Sequence, residues 1–369
     1  MISKRAPAFT IEATLPKGVW ELDSPYFLPM GIVRGQEAAA LLSSGAGLPL
    51  TGHAAFSAMG VIWRDGGGAK LSAVDVDKFT VCPPGGLCDT VQKIGTKRHK
   101  WAGLSLDRPL VMGIVNATPD SFSDGGDNFN PQTAINTALA MVEAGADIID
   151  VGGESTRPGA AQVAIVEEIA RVLPVVSTLA PKGIVVSIDT RHAAVMEAAT
   201  QAGATIINDV AALRAPGALE VAAKSGAAIC LMHMLGEPDT MQDAPDYACA
   251  PLDVYDFLAD RVSAAVGAGI SLDRITVDPG IGFGKTSDHN IQILSNLALL
   301  HGLGVGVLLG VSRKRFVAAL SRDELPKQRF PGSLTAALVG LDSGVQIVRV
   351  HDVPETIQAV TVWRAIHGI

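Results

Sequence analysis

The chain of 369 residues has little of several things that mark particular classes of protein. It has four cysteines, too few for a fold built on disulfides, and Cys82 and Cys88 are too far apart for a zinc knuckle. Positive charge is also scarce, because 29 Lys and Arg face 37 Asp and Glu and leave a formal net charge of -8. This balance argues against a nucleic-acid partner. No apolar run has the roughly 18 residues of a membrane span, and the N-terminus lacks the apolar core of a secretory signal. We therefore expect reduced thiols and a cytoplasmic protein with no nucleic-acid or membrane partner.

The first hundred residues show no regular pattern. They contain a helix-like run at 36–42, a strand-like run at 61–63, a turn signal at 64–68 and aromatic side chains suited to packing against another surface (Trp20, Tyr26, Phe27 and Trp63). They end in the basic run 96–100, which we interpret as a solvated linker. We divide the chain into an accessory region and linker at 1–100 and a catalytic region at 101–369. The fold of the accessory region is not readable, and it could be a small domain, a dimerisation element or an arm over the rest.

The region after residue 100 alternates short β-branched runs with amphipathic stretches, which is typical of repeated βα units. Eight strand-like runs are each followed by a candidate helix: 110–115, 147–151, 184–188, 205–207, 228–232, 274–277, 306–309 and 346–350. Eight units in about 260 residues match a closed barrel, whereas an open doubly wound sheet more often stops at five or six strands. The predicted fold class is α/β, a (β/α)8 TIM barrel with an additional small N-terminal region.

Polar or sulfur-bearing side chains follow every one of these strands. The loops after the first two strands, 116–126 and 152–159, are polar and rich in glycine. Later strands lead to Asp189, Asn208, Met232, Asp278, Ser312 and Arg349. Barrel enzymes carry their active sites at the carboxyl ends of the strands, so we expect these groups to share one site.

In these loops the sequence resembles the dihydropteroate synthase family, from about residue 109 to the C-terminus. The matching motifs occur in the family's order: NATPDSFSDGG at 116–126, ESTRPG at 154–159, SIDT at 187–190, NDV at 208–210, DPGIGFGK at 278–285, SRK at 312–314 and RVHD at 349–352. The resemblance implies condensation of 6-hydroxymethyl-7,8-dihydropterin diphosphate with 4-aminobenzoate, with Mg²⁺ as cofactor, in a homodimer. The resemblance also implies that the protein is a target of sulfonamides.

The resemblance places the pterin against a set of polar and apolar side chains. Asp278 would accept two neighbouring N–H groups of the ring, Lys314 would donate to the ring carbonyl and N5, and Asp189 and Asn208 would complete the polar edge. Phe283 and a methionine would cover the ring faces, and we expect only one of Met232 and Met234 to face it. The structural alternatives are that the aspartates cap helices, that Lys314 is solvated and that the methionines are core.

Other residues are implied for the diphosphate, the metal and the second substrate. The diphosphate would contact Asn116, Thr156, Arg157, Arg349 and His351, with Asn116 also binding Mg²⁺. The 4-aminobenzoate site would comprise Phe122, Thr156, Pro158 and Ser312. The alternatives are that Asn116 begins a turn before Pro119, that Arg349 pairs with Glu355, and that His351 is a satisfied helix-start residue.

The reaction needs stabilisation of a departing diphosphate more than it needs a strong base. We expect Mg²⁺, Arg157, Arg349 and His351 to supply most of it, with Lys314 holding the pterin, and we expect Cys230 to be buried core rather than a nucleophile. Two rival functions are a methyltetrahydrofolate-dependent methyltransferase, which has no use for a diphosphate clamp, and a catalytically silent pterin-binding paralogue. The methyltransferase is disfavoured by the motifs at 156–158, 312–314 and 349–351. The silent paralogue is disfavoured because no chemically required residue type is missing.

Overall fold

The computed structural model describes residues 7–16, 25–76, 87–98, 100–118, 130–155, 163–236 and 241–369. The N-terminal region contains a five-stranded sheet made of β1 (Thr10–Ile11), β2 (Tyr26–Arg34), β3 (Leu48–Pro49), β4 (Ala54–Asp65) and β5 (Gly68–Asp75). Two helices accompany it, α1 (Gly35–Ser43) and α2 (Leu87–Gly95). The predicted helix at 36–42 lies within α1, and the predicted turn at 64–68 joins β4 to β5.

The N-terminal sheet has its own apolar core, which includes Phe27, Phe56 and Trp63. It also packs against the barrel region through a second cluster that joins Leu28 and Ile62 to Leu252 and Leu299. Arg34 donates hydrogen bonds of 2.6 and 2.7 Å to the carbonyl oxygens of Leu341 and Asp342. These carbonyls close a helix of the barrel, where the helix dipole favours a cation. The N-terminal region is therefore joined to the barrel by charged contacts as well as by apolar packing.

Arg98 shows that the interpretation of 96–100 as a solvated linker is wrong at this position. Its guanidinium donates to five carbonyl oxygens, those of Lys93, Ile94, Thr96, His301 and Val305. Burial lowers the pKa of Arg98 to about 10. The side chain joins the end of α2 to residues just before a barrel strand, so this segment is a packed junction.

The C-terminal region is a closed barrel of eight parallel strands, which confirms the predicted fold class. The strands are β8 (Leu110–Asn116), β9 (Ile148–Gly152), β10 (Val186–Asp189), β11 (Ile206–Asp209), β12 (Ala228–Met232), β13 (Ile275–Asp278), β14 (Gly306–Leu309) and β15 (Ile347–Val350). The helices are α3 (Pro131–Glu143), α4 (Ile165–Leu179), α5 (Ala193–Gln201), α6 (Ala218–Ser225), α7 (Ala250–Gly267), α8 (Ser287–Leu294), α9 (Arg315–Leu320), α10 (Phe330–Asp342) and α11 (Val353–His367). Short 3₁₀ helices lie at Ala180–Lys182, Leu272–Arg274, Leu297–Leu303 and Pro326–Arg329. Among the described residues, no helix is long and apolar enough to cross a membrane.

Side-chain alternation along the strands separates the barrel interior from the layer beneath the helices. One alternating set packs inside the barrel and includes Met112, Ile148, Ile206, Cys230 and Leu308. The same inward set continues toward the strand ends as Asp150, Asp189, Asn208, Asp278 and Arg349. The sequence therefore makes the barrel apolar at its floor and polar at its mouth.

A two-residue-strand hairpin, β6 (Lys100–Trp101) and β7 (Leu104–Ser105), closes the floor of the barrel. The Trp101 side chain is fully buried against the interior apolar residues, and its indole N–H donates to the carbonyl oxygen of Arg274 at 3.1 Å. The hairpin therefore closes the amino ends of the strands, and the polar mouth lies at their carboxyl ends.

Candidate active site

The polar centre of the barrel mouth is Arg349 between two carboxylates. Its Nε lies 2.6 Å from Asp150 Oδ2, and its Nη2 lies 2.6 Å from Asp189 Oδ2. Asn208 also donates to Asp150 Oδ2, at 3.1 Å. The predicted residues Asp189, Asn208 and Arg349 therefore meet, and the alternative in which Arg349 pairs with Glu355 is wrong.

Arg349 is shared by two buried carboxylates, and this sharing shifts the pKa values of Asp189 and Arg349. Burial raises the pKa of Asp189 to about 7, with Arg349 opposing the rise and Asp150 adding to it. Burial alone would lower the pKa of Arg349, but the two aspartates raise it above its ordinary value. Within the described part of the chain, Oδ1 of Asp150 and Oδ1 of Asp189 are buried without a hydrogen-bond partner. Such acceptors need donors, which a ligand with N–H groups provides.

Asp278 ends β13 and is buried at the same mouth. Its Oδ1 accepts a 2.7 Å hydrogen bond from the backbone N–H of Gly280. Gly280 has φ of +66°, and a Cβ there would lie 1.8 Å from the carbonyl oxygen of His233, so only glycine fits this turn. Burial raises the pKa of Asp278, although the Gly280 amide and Lys314 oppose the rise. The carboxylate accepts from a local turn and caps no helix, since Thr286 caps the next one, and it remains part of the mouth.

Lys314 and Phe283 lie together at the next position around the rim. The ammonium of Lys314 is 4.0 Å from the centre of the Phe283 ring, within cation–π range. Burial and the charge of Arg349 lower the pKa of Lys314 to about 8, with Asp278 and Asp189 opposing. Lys314 is therefore not the solvated loop lysine of the structural alternative.

The two methionines lie in one apolar cluster with Phe283. Met232 and Met234 are buried beside Val210 and Met241, and Phe283 packs on this group. Met232 ends β12 and Met234 lies two residues beyond it, and both pack in this one cluster, so which of them faces a ligand stays a prediction. Together the five side chains form an apolar wall suited to a flat ring.

Ser312 and His351 contact each other across the last two loops. The hydroxyl of Ser312 is 2.9 Å from Nδ1 of His351 and accepts the backbone N–H of His351 at 3.2 Å. The serine hydroxyl is thus already engaged, and it joins the predicted 4-aminobenzoate side to the predicted diphosphate side.

The remaining predicted residues belong to the first two loops. Asn116 ends β8 at the mouth and is half-buried. Phe122, Thr156, Arg157 and Pro158 lie outside the described residues, so their roles stay predictions. Beside the second loop, Glu154 Oε2 contacts Arg191 Nε at 3.2 Å. Arg191 follows β10, so this contact connects the second loop to the loop after β10. The buried Glu168 of α4 contacts the neighbouring His192 Nδ1 at 2.7 Å.

Two buried polar groups were missed from the sequence. Asp150 is the main partner of Arg349, and its signal was a charged residue within the apolar strand IIDVG. Lys285 is fully enclosed, with its ammonium 2.8 Å from His233 Nδ1 and bonded to the carbonyls of Gly280 and Phe283 at 2.9 and 3.0 Å. Burial lowers the pKa of Lys285 well below its ordinary value and that of His233 to about 2. Lys285 fixes the loop that carries Asp278 and Phe283.

The thiols of Cys230 and Cys249 are both buried and free. Cys230 lies on the inner face of β12, and burial raises its pKa well above the ordinary value. Cys249 is also a buried free thiol, and burial raises its pKa as well. The expectation that Cys230 is core is confirmed.

A barrel with acidic acceptors, a lysine and an apolar wall at its mouth is the arrangement of an enzyme that binds a flat heterocycle. Residues 112–351 match the family described as pterin binding enzyme. The match covers well over half of the chain, which belongs to this family.

Individual relatives narrow the class. Dihydropteroate synthase of Escherichia coli K12 is 46% identical over 263 residues, which are 71% of this chain and 93% of the relative. The Neisseria meningitidis serogroup C enzyme of the same name is 47% identical over 277 residues, 73% of this chain and 98% of the relative. The structure of Xanthomonas albilineans dihydropteroate synthase with 4-aminobenzoic acid superposes with a TM-score of 0.69 at 48% identity, over 73% of this chain and 97% of that one. The chain is thus a member of the dihydropteroate synthases, transferases of folate biosynthesis, and the function expected from the sequence is confirmed at this level.

Proposed function

We propose that the protein joins 6-hydroxymethyl-7,8-dihydropterin diphosphate to 4-aminobenzoate, giving 7,8-dihydropteroate and pyrophosphate. The observation that carries the proposal is the buried pair of unpartnered oxygens on Asp150 and Asp189, beside Asp278 and an apolar wall. A dihydropterin brings N–H donors on one edge and a flat face, which together match both features. A structure from the same family, the Xanthomonas albilineans enzyme, is described in complex with 7,8-dihydropteroate, and this supports the choice of substrate.

In this proposal the pterin is held by polar groups at its edge and by apolar side chains on its faces. Asp278 and Asp189 accept ring N–H groups, Asn208 completes the polar edge, and Lys314 donates to the carbonyl and N5. Phe283 and the two methionines cover the ring. Burial lowers the pKa of Lys314 to about 8, and its amine carries N–H donors in either protonation state.

The chemical step breaks the bond between the pterin methylene carbon and the diphosphate oxygen and forms a bond from that carbon to the amine nitrogen. The electron pair leaves with the diphosphate, and the proton of the amine goes to solvent. Arg349, His351 and Arg157 carry the growing charge on the diphosphate, so electrostatic stabilisation supplies most of the rate. Ser312, Phe122, Thr156 and Pro158 hold 4-aminobenzoate in line with the methylene.

A synthase assay with the complete set of components tests the function. Pyrophosphate release should require the pterin diphosphate, 4-aminobenzoate and Mg²⁺ together. Lys314→Ala should lower kcat/KM about a hundredfold, because it removes charged hydrogen bonds to the ring. The matched control is Lys327→Ala, an exposed lysine of the 3₁₀ helix Pro326–Arg329, which should leave kcat/KM unchanged. Pterin binding without any pyrophosphate release would instead support the silent paralogue.

Asn116 fits a magnesium ion by its chemistry, because its amide oxygen is a hard, neutral ligand at the barrel mouth. When bound, the ion would neutralise charge on the departing diphosphate. Asn116→Ala should raise the Mg²⁺ concentration for half-maximal pyrophosphate release about tenfold. Asn136→Ala, at an exposed position of α3, is the control. An unchanged Mg²⁺ dependence in Asn116→Ala would assign the ion to other ligands.

We also propose a homodimer in the cytoplasm, as the family resemblance implies. Leu320 and Val339 are 45% exposed and line one groove with Phe316 and Ala336, which supports an apolar contact between copies. Light scattering of the purified chain tests the dimer, and a monomeric mass at micromolar concentration would contradict it.

A further inference from the structure

Arg313 and Asp352 belong to two active-site motifs, SRK at 312–314 and RVHD at 349–352, but the proposed function gives these two residues no role. They pair with each other. Arg313 Nε donates to Asp352 Oδ2 at 3.1 Å, and Arg313 Nη2 donates to Asp352 Oδ1, so the contact is bidentate. Both side chains are mostly buried, with 25% and 18% exposure. A planar, two-point contact of this kind fixes orientation as well as distance.

The backbone of Arg313 is held in an unusual conformation. Its φ is +58°, in the left-handed region that residues other than glycine and asparagine avoid. Its N–H donates to Ser333 Oγ at 2.8 Å, and its carbonyl accepts from Arg329 at 3.1 Å. Backbone strain of this kind persists where the surroundings hold it and is concentrated at functional sites.

Asp352 occupies a helix-capping position but does not cap the helix. It is the N-cap residue of α11, where an aspartate usually accepts backbone N–H groups of the first turn. Here its side chain makes no capping hydrogen bond and turns to Arg313 instead. The first turn of α11 therefore lacks a side-chain capping hydrogen bond, and the Asp352 carboxylate instead connects two loops through Arg313.

The pair lies next to a second link between the same loops. Ser312 contacts His351, and the next residue of each loop, Arg313 and Asp352, forms the ion pair. Lys314 follows directly on one side, and Arg349 lies three residues before Asp352 on the other. The two links therefore set the separation between the group that holds the pterin and the groups that hold the diphosphate.

We propose that Arg313 and Asp352 are positioning residues that keep the pterin and diphosphate subsites at the spacing of one substrate. The inference rests on the proposed function, because it assumes that the substrate spans both loops. A ligand that occupies both subsites gains from the correct spacing, whereas a bare pterin occupies one subsite and gains nothing. Loss of the pair should therefore weaken the binding of the diphosphate ester selectively.

Calorimetric titration tests this with two ligands, 6-hydroxymethyl-7,8-dihydropterin diphosphate and the same pterin without the diphosphate, both with Mg²⁺. In Asp352→Asn and in Arg313→Gln, Kd for the diphosphate ester should rise about tenfold, and Kd for the bare pterin should change less than about twofold. The double variant should be no weaker than either single variant, because one contact is lost in all three.

The variant Arg313→Gly distinguishes the effect of the Arg313 side chain from the effect of its strained backbone. Glycine relieves the left-handed strain and loses the same ion pair as glutamine, so this variant should be at least as stable to heat as Arg313→Gln and should bind the diphosphate ester as weakly. Full affinity in Arg313→Gly, equal weakening for both ligands, or additive losses in the double variant would each overturn the proposal. If the unaltered protein binds neither ligand, the proposed function fails instead.

Discussion

Replacing Arg349 by methionine should destabilise the protein and abolish its activity together. Methionine keeps much of the volume of the side chain, but it leaves Asp150 and Asp189 buried without their shared cation. Removing one partner of a buried ion pair costs about 3–5 kcal/mol, so Tm should fall by about 5 °C at pH 8. Pyrophosphate release should fall about a thousandfold, because Arg349 also stabilises the departing diphosphate. Calorimetry and the synthase assay measure the two losses.

The loss of stability in Arg349→Met should depend on pH with a definite sign. The pKa of Asp189 in the folded protein is about 7, above the ordinary value near 4. Arg349 opposes that rise, so its removal raises the folded pKa further. A carboxyl whose folded pKa is raised destabilises the fold when it ionises, and the penalty grows as pH rises from about 4 through the folded pKa. The Tm difference between the variant and the parent should therefore be smaller at pH 5 than at pH 8.

Neutralising the carboxylates supplies the matched control. Adding Asp150→Asn and Asp189→Asn to Arg349→Met should recover most of the lost stability, because no uncompensated charge stays buried. Activity should stay lost, since the diphosphate still lacks its cation. Full stability of Arg349→Met alone at pH 8 would show that another group neutralises the two aspartates.

The barrel and its mouth could be predicted from sequence because both depend on local patterns. Each strand is a short β-branched run, and the eight strands end in polar groups that a closed barrel brings to one rim. Asp278, Lys314 and Arg349 were found in this way, since residues at strand ends need no knowledge of long-range contacts to be placed together. The resemblance to a family then supplied what those groups bind.

The contacts between these groups could not be predicted, because they depend on distances across the barrel. The structural alternative paired Arg349 with Glu355, six positions away, whereas its partner is Asp150, 199 residues away in the chain. Arg98 was interpreted as a solvated linker residue because its carbonyl partners at His301 and Val305 belong to another part of the fold. The overall fold of the accessory region could not be predicted, because its sheet pairs strands that lie far apart in the chain, such as β1 with β5 and β2 with β4, and packs against the barrel.

Replacing Trp101 by alanine should lower stability greatly while leaving the chemistry intact. The indole is fully buried at the floor of the barrel, and truncating a buried aromatic side chain costs about 3–5 kcal/mol through lost burial and the cavity left behind. The substrates bind at the opposite end of the strands, so kcat/KM measured well below the melting temperature should stay within about twofold of the parent. Thermal unfolding followed by circular dichroism, with the synthase assay at low temperature, measures both quantities.

Trp101→Phe separates the packing of the ring from its hydrogen bond to the Arg274 carbonyl. Phenylalanine fills most of the space but cannot donate, so its cost should be smaller, about 1–2 kcal/mol for the unpaired carbonyl and the small volume lost. The order of stability should be parent, Trp101→Phe, then Trp101→Ala. A fall in kcat/KM for Trp101→Ala as large as that for Lys314→Ala would show that the floor and the mouth are mechanically coupled. The barrel interior is packed in layers, and the apolar residues Cys230 and Leu308 lie between the floor hairpin with Trp101 and the charged groups at the mouth. This packing is the reason that we expect a change at the floor to leave the chemistry at the mouth intact.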